Sequence, residues 1–311
     1  MDMKNFGRFI LDRNFIFLGA LLLGLLFPGG APFLLPLLFP ALALVIMISM
    51  LSIGPEVFRS PKVVFKHALI GIGVNYLVMT GVILAAGRLL ISDPALRTGF
   101  ILMAAIPPAV AVIPFTEMLG GNRTASLFGT VGGFFSAFLL LPLITLIFIG
   151  TDIVEPSRLF LILTGLIIVP FVFSRLLRGL HLDAAVEPYK GPVTNLCFGT
   201  VFYIMVAANH HIIVHQTSVL VLLIAVGLLI MAVSAAIVLT AARLLSADPR
   251  TRISLLLLAT LKNYAVSAGL GLVLFSDRAA LPSVIMTVIM VPYILLLGFF
   301  IGRRKRKGTP Y

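Results

Sequence analysis

The sequence predicts an all-α polytopic membrane protein: ten transmembrane helices forming two inverted five-helix repeats, with the fourth and ninth helices interrupted. Three observations predict it. Of 311 residues, 60% are hydrophobic and 11% charged, with mean hydropathy +1.16, whereas a soluble domain carries about a quarter charged residues. Apolar runs long enough to cross a hydrocarbon layer recur along the whole chain. One ten-residue loop pattern also occurs twice, at an offset of 155 residues.

The apolar runs lie near 14–28, 33–54, 66–90, 99–119, 124–149, 158–180, 192–209, 217–245, 252–275 and 282–302. Breakers fall between them: Pro28-Gly29-Gly30, Pro55, Asp93-Pro94, Gly120-Gly121, Pro156, Pro188, Asp248-Pro249 and Pro282,. The period-two alternation of a barrel strand is absent, which leaves helices as the spanning element.

Lys and Arg set the orientation. With the amino terminus inside, 18 of the 23 fall on the inner side, including Lys4, Arg8, Arg13, Arg243, Arg250, Arg252 and the run Arg303 to Lys307. Arg88, Arg97, Arg158 and Arg278 fall outside, and Lys262 lies within a span. Such a bias places both termini in the cytoplasm, and only an even number of spans keeps the basic tail on the side of Lys4 and Arg8. A multi-pass protein of the cell (inner) membrane is expected.

The repeat is read from its register. Arg88-Leu89-Leu90 leading to Asp93-Pro94 and Arg97 recurs as Arg243-Leu244-Leu245 leading to Asp248-Pro249 and Arg252. At the same offset Leu102 meets Leu257, Ala104 meets Ala259, Arg123 meets Arg278 and Ala125 meets Ala280. The halves are then 1–155 and 156–311, and five spans in each invert the second copy. Inverted repeats of this kind hold substrate near the midplane, at helices interrupted in matching positions. Here Pro107 and Pro108, with Pro114 beyond, remove backbone donors from the fourth span. The same depth of the ninth span holds Lys262 and Asn263.

Other classes are excluded or weakened. The net charge of +12 sits between spans and in the tail, where it faces lipid headgroups rather than nucleic acid. The lone Cys197 excludes an internal disulfide and a thiolate metal cluster. His211 and His215 have metal-ligand spacing, but no carboxylate joins them, and an interfacial turn is expected there. No paired intramembrane Asp and no Ser/His/Asp set marks an integral membrane enzyme. That class and an anion channel are the rivals of a secondary transporter, the reading that the inverted repeat implies.

Ala105-Ile106-Pro107-Pro108, then Gly121-Asn122, Ala125-Ser126 and Thr130, resembles the fourth and fifth helices of the bile acid:sodium symporter family and the wider bile/arsenite/riboflavin transporter group. Lys262-Asn263 with Leu270 to Pro282 is similar to its ninth helix, and Pro61-Lys62 with Gly73-Val74-Asn75-Tyr76 to its third. The likeness runs through nearly the whole chain in span order. It implies two crossed, unwound helices in a core domain and a panel domain against which that core moves, each drawing helices from both repeats. It further implies transport of organic anions such as bile acids and small carboxylates, usually with sodium. This chain departs from the family at the sodium ligands. Val112 and Ile113 stand for Ser-Asn, Leu258 for Glu, Lys262 for Gln and Asn75 for Gln, while Ser126 and Thr130 persist. A hard cation prefers several oxygens including a carboxylate, so the pattern speaks against dedicated sodium coupling.

Lys262 is the residue of most interest. A charged lysine in mid-bilayer costs about 2.5–3.5 kcal/mol on insertion scales, and such residues face a cavity and act. It is a fixed positive charge in place of sodium, a proton-binding group, or a structural counter-ion. Glu117, the acidic residue within an apolar run, either pairs with Lys262 or reaches interfacial water. The candidate substrate and ion site is therefore Asn75, Pro107, Pro108, Val112, Ile113, Glu117, Ser126, Thr130, Leu258, Lys262, Asn263 and Tyr264, with Asn195 a further polar group. No resident cofactor and no metal is expected, and sodium or a proton remain open as coupling ions. The expected partners are a small organic anion and the bilayer, with no nucleic acid and no obligatory protein.

Overall fold

The computed structural model describes residues 13–51, 54, 61–150 and 155–306. Lys4, Arg8, Pro55, Arg59 and Lys307 lie outside these. In chain order the helices of six or more residues are α1 Arg13–Leu26, α2 Leu38–Leu51, α3 Pro61–Ile72, α4 Thr80–Leu90, α5 Pro94–Ala105, α6 Val112–Leu119, α7 Arg123–Phe148 and α8 Pro156–Leu163. They continue with α9 Val169–Gly179, α10 Lys190–Ala208, α11 His210–His215, α12 Thr217–Leu244, α13 Pro249–Thr260, α14 Tyr264–Leu274 and α15 Asp277–Arg306. π turns at Gly73–Met79 and Thr164–Ile168 join α3 to α4 and α8 to α9. Among the described residues no strand forms.

The chain is an all-helical polytopic membrane protein. Among the described residues seven helical stretches are long and apolar enough to cross a bilayer: Pro28–Leu51, Pro61–Leu90, Arg123–Phe148, Ser157–Gly179, Asp183–Ala208, Thr217–Leu244 and Asp277–Ile301. Shorter apolar helices cover Phe15–Leu26, Pro94–Ala105 and Tyr264–Leu274. Pro282, expected as a break, lies inside α15. A helix within lipid tolerates proline where a neighbour fills the gap. Here Gly99 of α5 has no side chain, and a Cβ there would lie 2.2 Å from the Ala279 carbonyl and 2.9 Å from the Pro282 ring.

Two compact units divide the chain, each drawing on both halves. The first is Met1–Glu56 with Ser157–Val219, the second Val57–Pro156 with Leu220–Tyr311. In the first unit α10 packs on α1 and α2, and α9 packs on α2. Phe17 meets Phe202 at 5.4 Å between ring centroids, tilted by 58°, and Tyr203 donates to the Phe27 carbonyl at 2.7 Å. Arg175 and Arg178 donate to the carbonyls of Met50 and Leu51. These are C-terminal carbonyls of α2 that have no partner within the helix and carry its negative dipole end.

In the second unit α3 packs on α7, α14 on α15, and α5 on α4, α7, α14 and α15. The repeated loop pattern has one local structure in both copies. Asp93 accepts from the Leu96 amide and Asp248 from the Thr251 amide, both at 3.0 Å. Each aspartate thus caps a helix whose first residue is proline,. Arg97 donates back to the Ile91 carbonyl and Arg252 to the Ala247 carbonyl. Arg278 adds a 2.6 Å bond to Asp93. Burial alone would raise the Asp93 carboxyl, but the Leu96 amide, Arg278 and the Ala95 amide outweigh it and hold it below its ordinary value,.

Candidate functional site

The second unit is organised around two broken helices. α5 ends at Ala105, and Ile106 turns extended at φ −70°, ψ 158°. α13 ends at Thr260, and Leu261 turns extended at φ −121°, ψ 108°. The extended segments pair antiparallel at Pro108 and Lys262. Ala109 donates to the Leu261 carbonyl at 3.0 Å and Asn263 to the Pro107 carbonyl at 2.9 Å. The chain resumes as α6 from Val112 and as α14 from Tyr264.

The prolines dictate what must be supplied there. Within a helix the Ala104 carbonyl would accept from the amide four residues on, and that residue is Pro108, which has none. The Lys262 ammonium takes its place. Lys262 Nζ donates to the carbonyls of Ala104 at 2.8 Å and Ile106 at 2.9 Å. It also reaches Asn75 Oδ1 at 2.9 Å and Thr80 Oγ1 at 3.1 Å. It lies 4.7 Å from the centroid of the Tyr76 ring, whose face attracts a cation. The negative end of the α5 dipole adds to that attraction. Lys262 is wholly buried.

Its neighbours are themselves fixed. Asn75 Nδ2 donates to the Leu258 carbonyl at 3.2 Å, and the Thr80 hydroxyl donates to the Ala104 carbonyl at 2.6 Å. Tyr76 donates to the Gly133 carbonyl at 3.4 Å. The Tyr264 amide bonds the Lys262 carbonyl rather than that of Thr260, and the Tyr264 hydroxyl takes over the Thr260 carbonyl at 3.1 Å. α7 comes close at Gly133, where a Cβ would lie 2.4 Å from Pro108 Cδ. Gly129 sits against Leu258 in the same way, at 2.7 Å.

The structure therefore brings Asn75, Pro107, Pro108, Lys262, Asn263 and Tyr264 to one crossing, with Leu258 contributing its carbonyl. It does not pair Glu117 with Lys262. The helix ends at Leu119, and Gly120 turns left-handed at φ 75°. Arg123 then meets Glu117 at 2.6 Å, with both side chains about half exposed. Val112 is buried at the start of α6 and Ile113 partly so. Ser126 donates to the Arg123 carbonyl of its own turn. The Thr130 hydroxyl is buried without a hydrogen-bond partner among the described residues. No described hydrogen bond ties these last four residues to Lys262.

Sequence reasoning missed Thr80 and Tyr76. Asn75 and Thr80 are five residues apart, a spacing that an α-helix turns to different faces. The π turn realigns them, since the Thr80 amide bonds the Asn75 carbonyl, the i to i+5 pattern of a π helix. The three N–H groups of the ammonium point at four protein oxygens. Those oxygens resemble the shell of a hard cation, and the ammonium fills it. The His211 and His215 rings lie 5.0 Å apart, tilted by 50°. Among the described residues no group of three or more His, Cys, Asp or Glu could hold a metal.

Residues 31–304 match the SBF-like CPA transporter family, which is bile acid:sodium symporter-like. No curated protein matches the chain.

Proposed function

The chain belongs to the SBF-like CPA transporter family, and from that premise we propose that it is a secondary transporter of small organic anions working by alternating access. The observation that carries the proposal is the crossing of two broken helices with a fixed ammonium inside it. Helices that restart in mid-membrane present N-terminal amides and positive dipole ends, which favour a carboxylate. α6 and α14 restart at Val112 and Tyr264, so the anion is held near those two starts. The Lys262 charge stays buried behind them and fills the place that relatives give to a co-transported cation.

Ten spans follow in this reading. The seven long stretches are joined by Phe15–Leu26 and by two interrupted spans, α5 with α6 and α13 with α14. The equal caps at Asp93 and Asp248 support a duplicated, inverted pair of five-helix halves. A reporter fused at Tyr311 is then expected to report the cytoplasm, and one inserted at Asp152 the opposite side. Two reporters on one side would sink the inverted repeat.

The coupling prediction follows from the filled shell. Stabilisation of the purified protein by a transported carboxylate, read as a melting-temperature shift, is expected to be unchanged when sodium is replaced by potassium or choline. Proteoliposomes loaded without sodium are expected to take up the same carboxylate. A sodium dependence of about tenfold in apparent affinity at constant ionic strength, about 1.4 kcal/mol, would mean that a second cation site exists and that Lys262 does not replace it.

A further inference from the structure

Away from the crossing, the second unit holds a crevice of about 200 Å³ between the end of α12, the start of α13 and the last turns of α15. Its wall repeats at helical spacing. Leu239 precedes Arg243 by one turn on α12, Arg252 precedes Leu256 on α13, and Leu297 precedes Ile301 on α15. On α12 and α13 the arginine is therefore the residue at the helix end and the leucine lies one turn further in. Among the described residues no acidic side chain lines the crevice. The adjacent Asp248 is turned onto the Thr251 amide at 3.0 Å.

We propose that this crevice binds an anionic phospholipid, with an acyl chain along the apolar wall and the phosphate met by Arg243 and Arg252. The wall of leucine, isoleucine and phenylalanine gives nothing to a free phosphate, and a hydrocarbon chain gains free energy with each methylene buried in such a surface. The arginines give nothing specific to a neutral lipid, and two of them match one phosphate well because a guanidinium binds it bidentately. The Arg252 guanidinium is held in place through its 2.7 Å bond to the Ala247 carbonyl, so its ordering cost is met before the lipid arrives. Leu244 and Leu245 beside it are both 81% exposed, as expected of a surface facing acyl chains. The sequence after Ile301 continues into Arg303-Arg304-Lys305-Arg306-Lys307, which concentrates anionic lipid at the same helix end. A basic pocket between transmembrane helices at such an end selects anionic headgroups. The inference rests on the chain's being a membrane protein and not on its substrate.

The test uses the full chain, purified in neutral detergent and titrated with three probes. These are dimyristoyl phosphatidylglycerol, phosphatidylcholine with the same chains, and glycerol phosphate. Melting temperature and lipid retained in native mass spectrometry are the readouts. Phosphatidylglycerol is expected to stabilise saturably, phosphatidylcholine far less, and glycerol phosphate not at all. Arg243→Gln is expected to weaken the phosphatidylglycerol effect about fivefold, the equivalent of one arginine at a lipid surface. Leu239→Trp, which fills the crevice and keeps both arginines, is expected to remove the saturable component. It carries the test should Arg243→Gln fail to fold. Changing Lys305, Arg306 and Lys307 to Gln is expected to leave saturable binding in place. Equal stabilisation by phosphatidylcholine, stabilisation by glycerol phosphate, an unaltered response in Arg243→Gln or Leu239→Trp, or loss of binding with the tail alone would each overturn the assignment.

Discussion

Lys262→Ala is expected to abolish uptake and to lower stability by about 3–5 kcal/mol, the cost of stripping one partner from a buried charged network. The substitution removes the ammonium from the Ala104 and Ile106 carbonyls, Asn75 Oδ1 and Thr80 Oγ1 at once. Those acceptors are buried, and a buried polar group that loses its partner costs free energy. The resulting cavity is lined by four oxygens and the face of Tyr76, which is a site for a small cation. Lys262→Ala is therefore expected to gain what the parent protein lacks: a melting temperature that rises with ammonium, methylammonium or sodium and not with choline. Lys262→Met fills the same space without charge and is expected to be unstable and not rescued. A Lys262→Ala protein that melts and transports like its parent would end the fixed-cation reading. One that melts lower, ignores added cations and still transports would reduce the lysine to a tie between helices.

The same lysine marks the limit of what the residues disclose. Its depth, and its register with Pro107 across the repeat, were visible because proline lacks an amide and a mid-membrane charge is costly. Asp93 and Asp248 were visible as breaks and as a repeated pattern, and the structure adds that each caps the helix after it. What the ammonium would bond to was not visible. Two of its four acceptors are backbone carbonyls, which carry no sequence signature. Thr80 enters only through the π turn, and helical periodicity assumes that such turns do not occur. Whether Glu117 pairs with Lys262 or reaches interfacial water was not visible either, since a charge in an apolar run does not name its partner. The left-handed Gly120 reverses the chain after α6, so that its nearest opposite charge is Arg123. Pro282 was read as a break because its missing amide is a local fact, whereas the accommodating Gly99 lies far away in sequence.

Gly71→Ala is expected to be a highly disruptive single-methyl change in the second unit. α3 and α7 meet where Gly71 faces Gly129, and a Cβ on Gly71 would fall 2.2 Å from Gly129 Cα and 2.9 Å from its carbonyl carbon. Both are backbone atoms, so no side chain can rotate away and the helices must separate. Overpacking of this kind costs about 1–3 kcal/mol, more where backbone must move. The separation would also carry the π turn, and with it Asn75 and Tyr76, away from Lys262. Uptake per folded molecule is therefore expected to fall along with the melting temperature. Gly73→Ala is the matched control. It lies two residues along the same continuous helix, and a Cβ there meets nothing within 4 Å. Its effect is expected to stay within about 0.5 kcal/mol, or to be slightly stabilising, because alanine has less backbone freedom to lose on folding. The measurement is a thermal unfolding series on both variants, followed by uptake normalised to folded protein in proteoliposomes. If Gly71→Ala melts within a degree of Gly73→Ala and transports equally, the two helices do not approach through these glycines, and the placement of Asn75 against Lys262 has to be redrawn.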